Sequence, residues 1–377
     1  RGLMILTGQL DKERLIPDGE AYVPQPAPPP QEAFTKTFTC PNCGASIAYD
    51  PHETTLVCRF CGYKRKVDAR VASESSDQVL DAVLPTTPAH RWAESQTRLT
   101  CEYCGVTLLL PPGQTADSCP YCASNRFITT PELKEMIDPQ VVGLFKVNPE
   151  EASRSIKNWL NKGLLAPDDL AARYAGMQLH PAYYPVWLFS GTLEIPWFCD
   201  VNEGEGRIAR WESHGGSHFE MFKDVLIPGL RSMVPQDLAG IGPFNLDDLV
   251  EFSPDFLAGW VALTYDLPLS DASLLAHEAV IKKVRPLLPV TVEPALQKRN
   301  FKIGAGRWSG LTYKLALLPI FVGNYPFRGK RFRVFVNGQT GKVAGKQPTD
   351  NLKLLMYSLT GLALLVMVIV ILWILLR

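Results

Sequence analysis

The sequence predicts an α+β fold on three observations. Eight of its nine cysteines fall in four C-x-x-C pairs, residues 178–350 are rich in β-branched and aromatic runs, and residues 354–376 hold no charged side chain. The expected architecture is two tandem small cysteine modules, a mainly antiparallel β body with a few helices, and one C-terminal apolar helix. Of 377 residues, 46% are hydrophobic and 20% charged, with 38 basic against 38 acidic side chains. That balance excludes a disordered chain, which needs low hydrophobicity and high net charge. It also excludes a protein that coats nucleic acid through a global positive field.

Residues 1–36 end in the run Pro24-Gln25-Pro26-Ala27-Pro28-Pro29-Pro30 and read as a Pro-rich disordered segment. Residues 37–70 and 98–129 are the cysteine modules. Cys40, Cys43, Cys58 and Cys61 recur as Cys101, Cys104, Cys119 and Cys122, each displaced by 61, so both modules read C-x2-C-x14-C-x2-C. Residues 71–97, rich in Ser, Asp, Thr and Pro, read as a linker between them.

In this pattern two short turns bring four thiolates to tetrahedral positions around one ion, and the fourteen-residue gap suits two strands that return the chain. Gly44, Gly62 and Gly105 follow the second Cys of their pairs, where a turn needs positive φ. Each module is expected to be a zinc ribbon, giving two structural Zn²⁺ sites. Iron in a rubredoxin-like site is the alternative, and an electron carrier its functional counterpart. Four protein ligands close each site, whereas a catalytic zinc keeps a position open. The pairs read as metal ligands rather than disulfides in a reducing compartment.

Residues 130–177 read as a helical connector. Asn148-Pro149-Glu150-Glu151 is a helix start, with Asn as cap and Pro in the first turn. Ala152, Ile156, Trp159 and Leu160 fall on one face, and Gly163 is the expected stop.

Residues 178–350 read as the α+β body. Strands are expected at 183–197, at 210–222 as two strands around a Gly215-Gly216 turn, and at 259–267, 313–322 and 330–336. Asp271–Leu287 reads as one amphipathic helix with Leu275, Ala279, Ile281 and Val284 on its apolar face. Ala182–Leu188 resembles Ala316–Val322 at an offset of 134, a candidate duplicated β unit; chance likeness of two apolar strands is the competing reading.

The run 354–376 is 23 residues, about 35 Å of helix. It is bracketed by Lys353 and Arg377, with Tyr357 and Trp373 near its ends. A core helix of that length would carry a polar stripe; a transmembrane span fits better. The apolar stretch Gly2–Leu6 is too short for a signal-peptide core. A single-pass, tail-anchored protein of the cell membrane is expected, with its bulk in the cytoplasm.

No enzyme is expected. Gly341-Lys342 and Gly345-Lys346 lack the spacing and the Ser/Thr of a phosphate loop. His214 and His218, near Glu212 and Glu220, flank the expected turn and read as hairpin polarity, with a surface metal site as the weaker reading. Cys199 reads as a buried inert thiol. No small-molecule substrate is evident. Arg59, Lys64, Arg65 and Lys66, with Phe60 and Tyr63 interleaved, form a candidate nucleic-acid or anionic-surface contact. Residues 37–129 nevertheless carry eight basic against nine acidic side chains, and each zinc tetrathiolate centre adds two negative charges, so counterion release has little to draw on.

With these elements in place, the chain resembles a bacterial family of membrane proteins with transcription-factor-IIB-type zinc ribbons, often labelled by similarity to the primosomal replication-restart helicase. The resemblance covers roughly residues 38–350. It rests on the Cys pairs, Phe145-Lys146-Val147, Trp159-Leu160, Leu165-Ala166-Pro167, Tyr184–Phe189, Leu318-Pro319-Ile320 and Val336-Asn337-Gly338-Gln339-Thr340-Gly341-Lys342-Val343. It implies a membrane-anchored scaffold or adaptor that binds protein partners, among them envelope-stress machinery. A membrane-tethered nucleic-acid-binding accessory of replication or transcription is the alternative.

Overall fold

The computed structural model describes residues 38–72, 77–80, 97–110, 118–129, 136–163, 179–204, 209–293, 297–328 and 330–375, a hairpin within 15–24, and residues 116, 166, 167, 170 and 177. The chain divides into two compact units, 1–36 and 37–377. In the first, expected as disordered, β1 (Leu15–Asp18) pairs antiparallel with β2 (Ala21–Pro24). Residues 25–30 of the Pro-rich run lie outside the described residues.

In the second unit, β3 (Ala48–Asp50), β4 (Thr55–Val57) and β5 (Lys64–Lys66) form a small antiparallel sheet. The other described strands of this unit join one large sheet of thirteen. They are β6 (Gln78–Val79), β7 (Thr97–Cys101), β8 (Thr107–Leu110), β9 (Phe127–Thr129), β10 (Val141–Val142), β11 (Leu179–Asn202), β12 (Trp211–Pro228), β13 (Val250–Glu251), β14 (Val261–Leu263), β15 (Lys298–Ile303), β16 (Arg307–Phe327), β17 (Lys330–Asn337) and β18 (Val343–Gly345).

The sheet is built around β11 and β16, whose central residues are mostly β-branched, aromatic or Leu. They pair antiparallel, Ala182 opposite Ile320 and Val186 opposite Ala316. The two similar segments therefore lie side by side. Each strand carries a hairpin partner, β12 on β11 and β17 on β16. Each also has a short parallel neighbour at the matching alanine, Val261 beside Ala182 and Val141 beside Ala316. The two strands therefore carry matching neighbours, an antiparallel hairpin partner and a short parallel strand each.

The expected boundaries at 70, 97 and 129 do not separate compact bodies. Strand β8 of the second cysteine module pairs with β14 of the body. Strand β6, inside the expected linker, pairs with β16 at Thr312 and Tyr313. Its neighbour Asp77 lies 2.8 Å from the Lys314 ammonium, which also meets Asp224 at 3.2 Å. All three side chains are largely buried, at 12%, 18% and 14% exposure for Lys314, Asp77 and Asp224.

Side chains alternate across the central pair, which gives two cores. Tyr183, Leu317 and Phe321 share a core with Tyr49, Leu56 and Cys58 of the first module. Tyr184, Leu318 and Ile320 share the other with Cys101, Cys119 and Tyr121 of the second. The two cysteine modules are thus built into opposite faces.

Helix α1 (Pro149–Leu160) starts as expected. The Glu151 amide donates to Asn148 Oδ1 at 2.8 Å, and the Asn148 amide donates to Glu151 Oε2 at 3.2 Å, a complete capping box. It ends at Asn161 rather than at Gly163. Helix α2 (Pro235–Ile241) is pinned by the Asn337–Lys342 turn, where Asn337 Nδ2 donates to the Ile241 carbonyl at 3.1 Å. Helix α3 (Leu269–Val284) buries Leu269, Ala272, Ala276, Val280 and Val284. The expected face holds for Val284 and in part for Ile281, which packs half-buried against the same core; Leu275 and Ala279 are exposed, because the buried stripe runs at four-residue steps through Ala272, Ala276, Val280 and Val284.

The expected turn at Gly215-Gly216 is corrected. Both glycines lie mid-strand in β12, opposite Phe198 and Trp197. A Cβ on Gly215 would fall 2.7 Å from the Phe198 ring, and one on Gly216 would fall 3.1 Å from the Trp197 ring. Those rings occupy the space that side chains would take, and this is what the two glycines are for. Helix α4 (Asn351–Leu375) closes the chain. Its window Lys353–Ile374 has a mean hydropathy of 2.6 and none of it is buried, so it is long and apolar enough to cross a membrane.

Candidate metal centres

Each C-x-x-C pair sits on a tight knuckle closed by a backbone bond. The Gly44, Gly62, Gly105 and Ala123 amides donate to the carbonyls of Cys40, Cys58, Cys101 and Cys119 at 2.8–3.0 Å. The three glycines take φ of +73° to +74° as expected. The fourth knuckle has Ala123, which is forced to φ 59°.

The knuckles bring the sulfurs together. Cys40 and Cys61 Sγ are 3.5 Å apart, Cys43 and Cys58 3.6 Å, Cys101 and Cys122 3.6 Å, and Cys104 and Cys119 3.7 Å. Within each group all four sulfurs lie within 4.8 Å of one another. Bonds of about 2.3 Å to a tetrahedral ion place sulfurs about 3.8 Å apart, so both four-cysteine groups fit a metal ion. All eight cysteines expected as ligands are brought together four and four.

The thiols of the first group are pushed in both directions. The Tyr63 amide holds Cys61 down to about 6 and the Cys61 amide lowers Cys58, whereas Cys43 is pushed up to about 12, its bond from the Ala45 amide outweighed by the neighbouring thiols and burial. In the second, burial pushes Cys122 up to about 12. Four thiolates so close together need a cation between them. Ala123 is the weak point of the second group, because a side chain in the left-handed region costs about 1 kcal/mol. Ala123→Gly should raise stability by about that amount and slow metal loss to a competing chelator. An unchanged or faster loss would show that the knuckle holds no such strain.

The first group is docked by Tyr49. Its amide donates to the Ala258 carbonyl at 2.8 Å, and its carbonyl accepts from Trp260 Nε1 at 2.8 Å. The second is docked by Tyr121, whose hydroxyl donates to the Ser232 carbonyl and whose ring lies 3.6 Å beneath the Arg333 guanidinium. Phe60 and Tyr103, inside two of the knuckles, are 81% and 76% exposed. Phe60 belongs to the expected contact patch, whereas Tyr103 is not singled out by the sequence, and for neither does the sequence show that it projects.

The four cations of the expected contact patch do not share a face. Lys64 and Lys66 alternate with Arg65 along β5. Lys64 pairs with Glu53 at 2.6 Å and Arg65 with the buried Asp255 at 3.1 Å, while Arg59 lines a cleft beside Trp260. Three of the four are thus paired or turned to other surroundings.

The weaker reading of His214 and His218 as a metal pair is also corrected. Four residues apart on a strand, they stand about 13 Å apart. His214 lies 3.0 Å from Glu203 and His218 3.5 Å from Glu220. Cys199 is buried, and burial raises its thiol.

No family model matches the chain, and no solved structure matches it. The chain is similar to a protein of Bacillus subtilis (strain 168) named "Uncharacterized protein YdjG", with 23% identity over 324 residues that cover 83% of this chain and 90% of that one.

Proposed function

We propose that this protein is a membrane-anchored scaffold that recruits protein partners through two zinc-bearing knuckle surfaces, without catalysis at either metal. The reading rests on one observation: each cysteine group offers four protein sulfurs, while Phe60 and Tyr103, one in a knuckle of each group, face outward. A closed site holds shape rather than activating a ligand. Exposed aromatics are the usual anchors of protein interfaces. Zinc is preferred over iron on ligand type and tetrahedral spacing. The apolar helix α4 would hold the head at the bilayer, with the bulk of the chain in the cytoplasm.

The test is affinity purification of the full chain from membranes, with metal content measured alongside. In a Phe60→Ala, Tyr103→Ala variant, the co-purifying partners should be lost while two zinc ions per chain and the membrane fraction are retained. The same partners retained by that variant would overturn the knuckle assignment. Iron in place of zinc would overturn the metal assignment.

A further inference from the structure

A second site lies beside the second cysteine group, in a cleft of about 440 Å³ between β16, β17 and the segment that follows β18. Asn324 and Arg333 stand opposite each other across β16 and β17, so their side chains share a face. The Arg333 guanidinium is stacked 3.6 Å from the Tyr121 ring centroid and 6.0 Å from that of Phe335. Stacking covers the plane of a guanidinium and leaves its N–H edge free to grip a planar or tetrahedral oxyanion. One donor of that edge, Arg333 Nε, is buried without a hydrogen bond, and so is Asn324 Nδ2. Two buried donors left open in one cleft ask for an acceptor from outside.

The cleft is also cationic at its rim. Lys330 and Lys346 line it, both exposed, and among the described residues neither is ion-paired. Asp237 is the one carboxylate in the lining. Burial raises it, ahead of the opposing influence of Arg333 and Lys346. Cys122 also borders the cleft, so a loaded metal group adds negative charge at the floor. That charge attracts the guanidinium, but it satisfies neither orphan N–H.

We propose that this cleft binds a phosphate group, held by the Arg333 edge and Asn324 Nδ2 with Lys330 and Lys346 closing over it. The chemistry fits a phosphate mono- or diester. Its source is argued from chain geometry. Lys346 stands five residues before Asn351, where α4 begins. Five extended residues reach no more than about 17 Å. Gln347 Nε2 donates to the Trp159 carbonyl at 2.8 Å, and the Lys353 ammonium donates to the Ala166 carbonyl at 2.9 Å, so the segment is tied down. An anionic lipid headgroup is therefore the favoured ligand. This choice of source rests on the membrane-anchored reading; the phosphate site does not.

The test uses the zinc-loaded full chain in detergent. Native mass spectrometry reads retention of phosphatidylglycerol against phosphatidylcholine, and titration calorimetry reads binding of inorganic phosphate. Wild type should retain the anionic lipid preferentially. Arg333→Gln should lose about tenfold in that retention, the scale of one charge-assisted pair, and Lys330→Gln, Lys346→Gln, at exposed positions, should lose retention with an unchanged melting temperature. Binding of inorganic phosphate that displaces the lipid and falls in the same variants supports the site and shifts the source to soluble phosphate. Lipid retention equal in wild type and both variants, with no phosphate binding, overturns the proposal and leaves the cations as counter-charge to the metal group. Membrane fractionation of the same chain reports separately on the anchor.

Discussion

Cys101→Ser with Cys119→Ser is expected to abolish the cooperative thermal transition of the body, whereas Cys43→Ser with Cys61→Ser should leave it in place. The asymmetry follows from where the two groups sit. Cys101 ends β7, a strand of the large sheet, and Cys119 and Tyr121 belong to the core beneath Tyr184 and Leu318. Losing that ion removes a binding free energy on the order of 10 kcal/mol, comparable with the whole stability of an ordinary domain. The first group closes a separate three-stranded sheet, and Cys43 and Cys61 are exposed. Its loss should free β3–β5 and the Tyr49–Trp260 dock while β11 and β16 stay protected. Circular dichroism melts with hydrogen exchange on the two variants would show this. Equal melting curves would mean that the second metal is an ornament on a self-sufficient sheet.

Lys314→Met should cost about 3–5 kcal/mol, the range for removing one partner from a buried ion cluster. Asp77 and Asp224 would then face each other without a cation, both largely buried. Adding Asp77→Asn and Asp224→Asn to the same chain should recover most of the loss, because the remaining polar groups can pair without charge. Urea unfolding of the single and triple variants gives both numbers. A single variant within about 1 kcal/mol of wild type, the worth of an exposed pair, would mean that water reaches the cluster.

The parts that were legible in the sequence are those fixed by local chemistry. The cysteine spacing, the positive φ at the knuckle glycines and the helix cap at Asn148 each depend on a few neighbouring residues. The length of the apolar C-terminal helix is equally local. What failed needed a distant partner. Gly215-Gly216 reads as a turn until Phe198 and Trp197 are known to lie across them, and nothing within β12 announces those rings. Asp77 reads as linker polarity, yet it answers a lysine 237 residues away. The face of α3 was misjudged because Ala272 and Ala276 are weakly apolar, while the larger Leu275 is exposed. At the metal groups the ligands were legible, but not the alanine that strains the fourth knuckle or the aromatics that project from two of the others.

The alternation across β11 and β16 makes the two metal groups mutual proofreaders. Tyr183 serves the core of the first and Tyr184 the core of the second. A slip of one residue between the long strands would exchange every side chain between faces, and neither group would find its seat. Long, smooth apolar strands are the ones most prone to such slips, since many registers bury similar area. Here a misaligned pair would leave both cysteine groups unseated at once, so metal uptake would act as an error check on this long central pairing.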